Sequence, residues 1–272
     1  MIGTEPLERL VLASIWSGYV AKERPVSLLL TASVESGKTS LLRKFQGTPG
    51  LLFLDDLTAW ALTSPTRPIL SGLISGQIHH LVVPDLLPCL GRNPDTVETL
   101  ITFLNVLLEE GAVAIQTYAT KLTLPQPIRC GLIAALAKEE LENKRRHWMR
   151  VGFMTRLLPA SFSYAPRSAT RIMQSIANRE YHKETPIVPS LPKGPVDVQL
   201  SKPVADRIML LTPAVLGQLH MAERVYGFRL EKQLQSLTLA HALSKGRHAT
   251  TMEDYDFTAE VATYLNLSFT PL

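Results

Sequence analysis

The sequence predicts an α/β fold, a three-layer core with a parallel sheet followed by a smaller helical domain. Three observations carry this. Short apolar runs at residues 28–32, 51–54, 80–85 and 128–136 alternate with stretches of helical spacing, the order of strands wound with helices in a parallel sheet. The first run passes through a tight loop ending in Gly37-Lys38-Thr39 and then into a helix. From Val204 onward the pattern is helical, with no strand run before the last few residues. The chain therefore divides into a core over 1–180, a Pro-rich linker over 181–203 and a helical domain over 204–272.

Taken in order, residues 1–24 predict an amphipathic helix with Leu7, Leu10, Val11 and Ile15 on one side. It has neither a basic start nor a small-residue cleavage site, so it does not read as a secretion signal. Residues 28–32 read as a buried strand and 39–45 as a short helix, ended by Gly47-Thr48-Pro49-Gly50. Residues 51–54 form a second strand, closed by Asp55 and Asp56, and helical pieces follow from Ala59 and beyond Pro68. The third strand, from His80, ends at Asp85. Val97, Leu100, Ile101, Leu104, Leu107 and Leu108 recur at helical spacing, and Gly111 can cap that helix. Residues 112–118 alternate like a strand, 120–123 suit a turn and 128–136 suit a further strand. Residues 167–179 are expected to be helical. Pro186, Pro189, Pro192, Pro195 and Pro203 make the following stretch an arm or linker, not a helix.

The loop after the first strand carries the chemistry. A strand, a Gly-Lys-Thr loop and a helix start make a phosphate-binding arrangement, in which backbone N–H groups and the helix N-terminus face the phosphates. Ser33, Val34, Glu35, Ser36, Gly37, Lys38, Thr39 and Ser40 are the candidates for holding ATP. Lys38 would reach the β and γ oxygens, and the Thr39 hydroxyl would ligate Mg²⁺. Ala32 stands where the GxxxxGK[ST] pattern has its first glycine, so the match is one residue short. The plainer alternative is a chance Gly-Lys-Thr at a helix start. Glu35 inside the loop either bonds a neighbouring subunit or weakens nucleotide binding by repulsion.

A nucleoside triphosphatase also needs a carboxylate at a strand end near this loop, to hold Mg²⁺, and often a base that polarises the attacking water. Asp85, at the end of the third strand, is the preferred magnesium acid, ahead of Asp55. Asp56 is the alternative acid, or a water-orienting base. Asp85 has the plainer alternative of capping the helix after it. Leu86 follows Asp85 where a catalytic Glu is usual. The base is then Asp55, Asp56, Glu109 or Glu110, or hydrolysis is slow.

Together these pieces resemble an AAA+ ATPase, and several segments resemble its MCM-type branch. Residues 104–115 are similar to the helix leading into that branch's β-hairpin, with Lys121 near the hairpin tip. Residues 131–136 resemble the sensor strand, without its polar residue. Residues 152–159 (Gly-Phe-Met-Thr-Arg-Leu-Leu-Pro) resemble the arginine-finger segment, and residues 229–254 resemble the lid helices. The resemblance implies an oligomer, a ring or filament, in which Arg156 offsets the γ-phosphate charge of a neighbour's nucleotide. It implies that Arg229 senses the γ-phosphate in trans or in cis, and that Lys121 contacts single- or double-stranded DNA. The compact chain looks more like a bacteriophage or mobile-element ATPase than a cellular replicative helicase. Two functions follow as expectations: a DNA-acting motor, or a hydrolysis-poor switch such as a helicase loader or packaging accessory with a protein partner.

Composition narrows the field. With 46% hydrophobic and 19% charged residues over 272 positions, the chain reads as globular rather than disordered. A net charge of +4 and a pI near 9.1 permit a nucleic-acid partner without requiring one. No run reaches the length of a membrane span, so no membrane partner is expected. Cys89 and Cys130 lack metal-type spacing and read as buried free thiols of a reducing, cytoplasmic compartment. His79 and His80 have no ligand partner nearby in sequence. The charges of residues 138–150 are mixed in sign and suit an exposed helix face, with only Lys144 to Arg150, around Trp148, basic enough for phosphate contact.

Overall fold

In the computed structural model, which describes residues 3–64, 68–116, 121–180, 185–221, 225–267 and 270–271, the apolar runs become a parallel sheet flanked by helices. Its strands are β1 (Leu28–Ala32), β2 (Leu51–Phe53), β3 (His80–Val83), β6 (Gly131–Ala137) and β7 (Leu158–Ser163). A separate antiparallel hairpin is made of β4 (Ala112–Gln116) and β5 (Lys121–Ile128), and β8 (Thr270–Pro271) pairs with β7 at the sheet edge. The spatial order is β2-β3-β6-β1-β7-β8. Every residue of β1 is buried, as are the first six of β6. Strands covered on both faces need such unbroken apolar runs, whereas half-buried strands alternate.

The helices of the first part are α1 (Glu5–Ser17), α2 (Lys38–Arg43), α3 (Ala59–Thr63), α4 (Pro68–Ile74), α5 (Leu87–Leu90), α6 (Pro94–Leu108), α7 (Lys138–Arg150) and α8 (Pro166–Ala177). They are followed by α9 (Lys202–Gln218), α10 (Phe228–Ser244) and α11 (Met252–Ala262). The α6 pattern works as its spacing requires: Leu100, Ile101, Leu104, Leu107 and Leu108 are buried on one face, and the Asn93 side chain accepts from Asp95 N at 2.9 Å to cap its start. The helix α1 packs against α10 and α11, joined at its rim by Arg9 and Glu260 at 2.6 Å. Among the described residues, no helix is long and apolar enough to cross a membrane.

Two boundaries differ from the sequence expectation. The run at 128–136 is not one strand: Ile128 ends β5 and β6 starts at Gly131. Residues 121–123 are not a turn but the first part of β5, where Leu122 faces Ile115 and Leu124 is buried. The alternation of Leu122 and Leu124 with polar neighbours is a strand period of two, and it overrides the turn preference of the residues before it. Residues 117–120, the expected end of β4 and the hairpin tip, lie outside the described residues. The Pro-rich arm is extended and tied down, with Ile187 N donating to Lys44 O at 2.7 Å and Val196 bridging Val20.

The two cysteines are buried as expected, and His80 and Trp148 prove to be packing groups as well. His80 is fully buried; its Nε2 lies 3.1 Å from Val26 O, and burial pushes its pKa down to about 3. A side chain at Gly131 would place Cβ 2.2 Å from the His80 ring, so glycine is what lets β6 pass this histidine. Trp148 is buried edge-to-face against Phe153 at 5.1 Å and Arg145 donates to Leu219 O, so one face of α7 packs inward, while Arg146 and Arg150 are exposed. Cys89 and Cys130 are free and buried, and burial raises their thiols to about 11 and about 12. Only the thiolate reacts. A thiol reagent at neutral pH should therefore label the native protein at least ~100-fold more slowly than the denatured chain. Equal rates would show that the two sites open readily.

Candidate functional site

The chain leaves β1 at Ala32 from between β6 and β7, in register with Ala137. It then turns sharply, with Glu35 at φ 62° and Gly37 at φ 78°. Gly37 suits its left-handed position, while Glu35 there costs about 1 kcal/mol. Lys38 folds over the loop: its Nζ donates to Ala32 O at 2.9 Å, Ser33 O at 2.7 Å and Ser36 Oγ at 3.1 Å. Burial lowers its pKa, while Glu139 and Asp85 act in the opposite direction. Tyr164, just after β7, braces the loop by donating to Ser36 O at 2.9 Å.

The neighbouring strand ends meet this loop. Thr39 Oγ1 donates to Pro84 O at 3.2 Å, which fixes the start of α2 against the end of β3. Asp85 follows directly; it is exposed, and its Oδ1 accepts from Leu87 N, the first residue of the short α5, at 3.0 Å, while the N-cap position of that helix is Leu86. Glu139, in the first turn of α7 beyond β6, is a further acid at this sheet end. The gathered donors are an ammonium with three oxygen partners, a hydroxyl and carboxylates. They suit a phosphate group and a hard cation such as Mg²⁺. Among the described residues no three His, Cys, Asp or Glu side chains gather as a metal cluster.

Asp55 and Asp56 stand elsewhere. They follow β2, which β3 and β6 hold about 14 Å from β1 across the sheet. Asp55 pairs with Arg43 at 3.1 Å, and Asp56 pairs with Arg92 and accepts from Leu57 N at 2.9 Å. The next strand in sequence is thus not the next in space, because β3 and β6 lie between.

A second polar cluster occupies the opposite end of the sheet, where β6 and β7 begin. Glu109, buried at the end of α6, receives three arginines: Arg24; Arg229 at 2.5 Å; and Arg156, whose Nε lies 3.4 Å away without a hydrogen bond. Arg156 also faces Glu110 at 3.6 Å and donates to Gly152 O at 2.7 Å. Burial and the adjacent Arg229 lower its pKa, against the pull of Glu109 and Glu110. A cavity of about 290 Å³ opens here, lined by five cationic side chains (Lys22, Arg24, Arg156, Arg229 and Lys232) and two carboxylates, Glu23 and Glu109.

Arg156 and Arg229 are therefore brought together, but not to the loop. Strands of five and six residues separate the two ends, about 16 Å or more. For the same reason Glu109 and Glu110 stand away from the loop of their own chain. Lys121 is exposed at the start of β5, opposite Gln116. Sequence reasoning missed Tyr164, Glu139 and Arg24. For the first two the available signal was a polar residue directly beyond a strand end; Arg24 had none. No protein-family model matches the chain, and no curated protein matches it.

Proposed function

We propose that the chain binds Mg-ATP at the loop spanning residues 33–40 and works as an oligomeric ATPase of the AAA+ type acting on DNA. The observation that carries this is the Lys38 ammonium, set among loop oxygens at the carboxyl ends of the parallel strands, with Thr39 held against the end of β3. In open parallel sheets ligands sit at this end. Lys38 would hold the phosphates in place of its loop oxygens, and the loop amides would line them. Thr39 and Asp85 would hold the Mg²⁺, with phosphate oxygens and water completing its shell. Bound there, the cation neutralises charge developing on the phosphates.

The position of the arginines favours action between subunits. Arg156 and Arg229 lie too far from the loop to serve it within one chain, so they would serve the nucleotide of a neighbour. In the single chain Glu109 holds both, which delays that role until a neighbour competes for them. The exposed Lys121 and the β4–β5 hairpin are the candidate DNA contact. The C-terminal helix α10 carries Arg229 at the arginine end, so a lid made of α9 to α11 would close over a neighbour's nucleotide and not over the loop of its own chain.

A second function is favoured by specific residues. Leu86 follows Asp85, Ala32 replaces the first loop glycine, and Asp55 and Asp56 are engaged on a distant strand. Such a site suits a switch that assembles on ATP and hydrolyses it poorly. One experiment separates the two: sedimentation and phosphate release measured with Mg-ATP, with and without DNA. The motor requires ATP-dependent assembly with turnover that rises on adding DNA. Assembly without turnover selects the switch. A monomer with ATP and DNA both present contradicts both.

A further inference from the structure

The helix α8 buries none of its 12 residues, although its sequence is two-sided. Ala169, Ile172, Met173, Ile176 and Ala177 gather on one side, at the three- and four-residue spacings of a helical stripe. Arg167, Thr170, Arg171, Gln174 and Ser175 take the other side. Ala169 and Ile172 are half-buried, but Met173 is 69% and Ile176 53% exposed. A helix this short is marginal in water and owes its stability to packing of its apolar stripe. Here the chain itself leaves that stripe mostly uncovered.

The charges are as one-sided as the stripe. Arg167 and Arg171 stand on the polar side and Arg179 just beyond the helix end, and α8 contains no acid. All three arginines are exposed, with no ion pair among the described residues. The helix is also fixed at its start, since Tyr164, two residues before it, donates to Ser36 O at 2.9 Å. The stripe is therefore presented from a braced point of the fold.

These features select among partners. A nucleic acid would use the arginines and gain nothing from Met173 and Ile176. A second copy of α8 would set arginine against arginine. A protein groove needs a carboxylate opposite each arginine and a pocket for each apolar side chain. An anionic bilayer needs only what α8 has: an exposed apolar stripe, low net hydrophobicity, and flanking cations long enough to reach headgroup level.

We propose that α8 is a membrane-surface helix, which lays Met173 and Ile176 into the headgroup boundary of an anionic bilayer while Arg167, Arg171 and Arg179 meet lipid phosphates. Contact of this kind needs no spanning helix. Each cation near a negatively charged surface adds attraction that salt screens. The inference is independent of the nucleotide proposal, because no residue of α8 belongs to the 33–40 loop.

The test incubates the full chain with vesicles of phosphatidylcholine alone, or of phosphatidylcholine mixed equally with phosphatidylglycerol, and then sediments them. The wild type should pellet with the anionic vesicles, stay in solution with the neutral ones, and be released as salt is raised. Met173→Ser with Ile176→Ser, and separately Arg167→Gln with Arg171→Gln, should each weaken binding at least about 10-fold. All four positions are exposed, and circular dichroism checks that the fold is kept. A polarity-sensitive fluorophore carried by Ile176→Cys should brighten on the anionic vesicles; Cys89 and Cys130 are buried and compete little for the label. A wild type indifferent to anionic vesicles overturns the proposal and leaves the stripe to an acidic protein groove. Equal binding to both kinds of vesicle overturns it as well. So does binding that the glutamine substitutions abolish and the serine substitutions leave intact, because that contact is with charge alone.

Discussion

Lys38→Ala should remove measurable Mg-ATP binding and leave the fold in place. The ammonium is the only side-chain cation of the Gly37-Lys38-Thr39 turn, and its partners are two carbonyls and one hydroxyl of the same loop. Charge-assisted hydrogen bonds contribute about 1.5–3 kcal/mol each. Two such bonds to phosphate correspond to at least about 3 kcal/mol, or more than ~100-fold in Kd. The fold should register the change only modestly: Ser33 is exposed and its freed carbonyl can meet water, while the carbonyl of buried Ala32 loses one partner. Calorimetric titration of the variant against the wild type, with thermal unfolding as the control, reads both quantities. A variant that binds as the wild type does would remove Lys38 from the site.

Asp254→Ala should have the largest effect on stability, about 3–5 kcal/mol, because it leaves several buried donors without their carboxylate, although Arg247 keeps Glu253 at 2.7 Å. Asp254 is fully buried. Its Oδ2 accepts from Thr251 N at 2.8 Å and Thr251 Oγ1 at 3.0 Å, closing a capping box on α11. Its Oδ1 meets His241 Nδ1 at 2.7 Å and Arg247 Nη2 at 2.5 Å, and the His241 ring stacks on Phe257 at 4.0 Å. Burial raises the carboxyl pKa, but the hydrogen bonds from the Thr251 backbone, Arg247, His241 and the Thr251 hydroxyl outweigh it, and the net shift is downward. A carboxylate depressed in the folded state stabilises fully above its ordinary value of 3.8, and that contribution is lost as pH falls through the lower folded value. His241 and His80 shift the same way, their pKa values lowered chiefly by burial, so acid costs stability from about pH 6.5 downward. Denaturant unfolding at pH 7 and pH 4 should show the wild type weaker at pH 4. Asp254→Ala should be weak at both, and should lose the further decline below pH 4 that belongs to the carboxylate. A variant as stable as the wild type at pH 7 would show that the box is slack.

Much of this architecture is legible in the residues. The continuous apolar runs of β1 and β3 announce strands covered on both faces, and the spacing of Leu100, Leu104 and Leu107 announces α6. What sequence spacing does not carry is spatial order. Asp56 follows β2 closely in the chain, yet two strands separate β2 from β1, and only the sheet order shows that Asp85 lies near the Lys38 loop and Asp56 does not. The clustering of Arg24, Arg156 and Arg229 on Glu109 joins residues up to 205 positions apart, so no local pattern announces it. The pairing of α1 with α10 is not written in periodicity either, because it arises when distant helices meet. The junction between β5 and β6 was hidden for another reason: two apolar segments abut, and only the close turn at Arg129 and Cys130 divides them.

The account turns on whether a triphosphate lies in the 33–40 loop. A crystal structure of the full chain grown with Mg²⁺ and a non-hydrolysable ATP analogue tests this most directly. The prediction is phosphate density against the loop amides, with Lys38 Nζ moved from the Ala32 and Ser33 carbonyls onto phosphate oxygens and Mg²⁺ beside Thr39 and Asp85. Crystals soaked to saturation in which Lys38 keeps its three loop partners, with no density at the loop, would contradict the account.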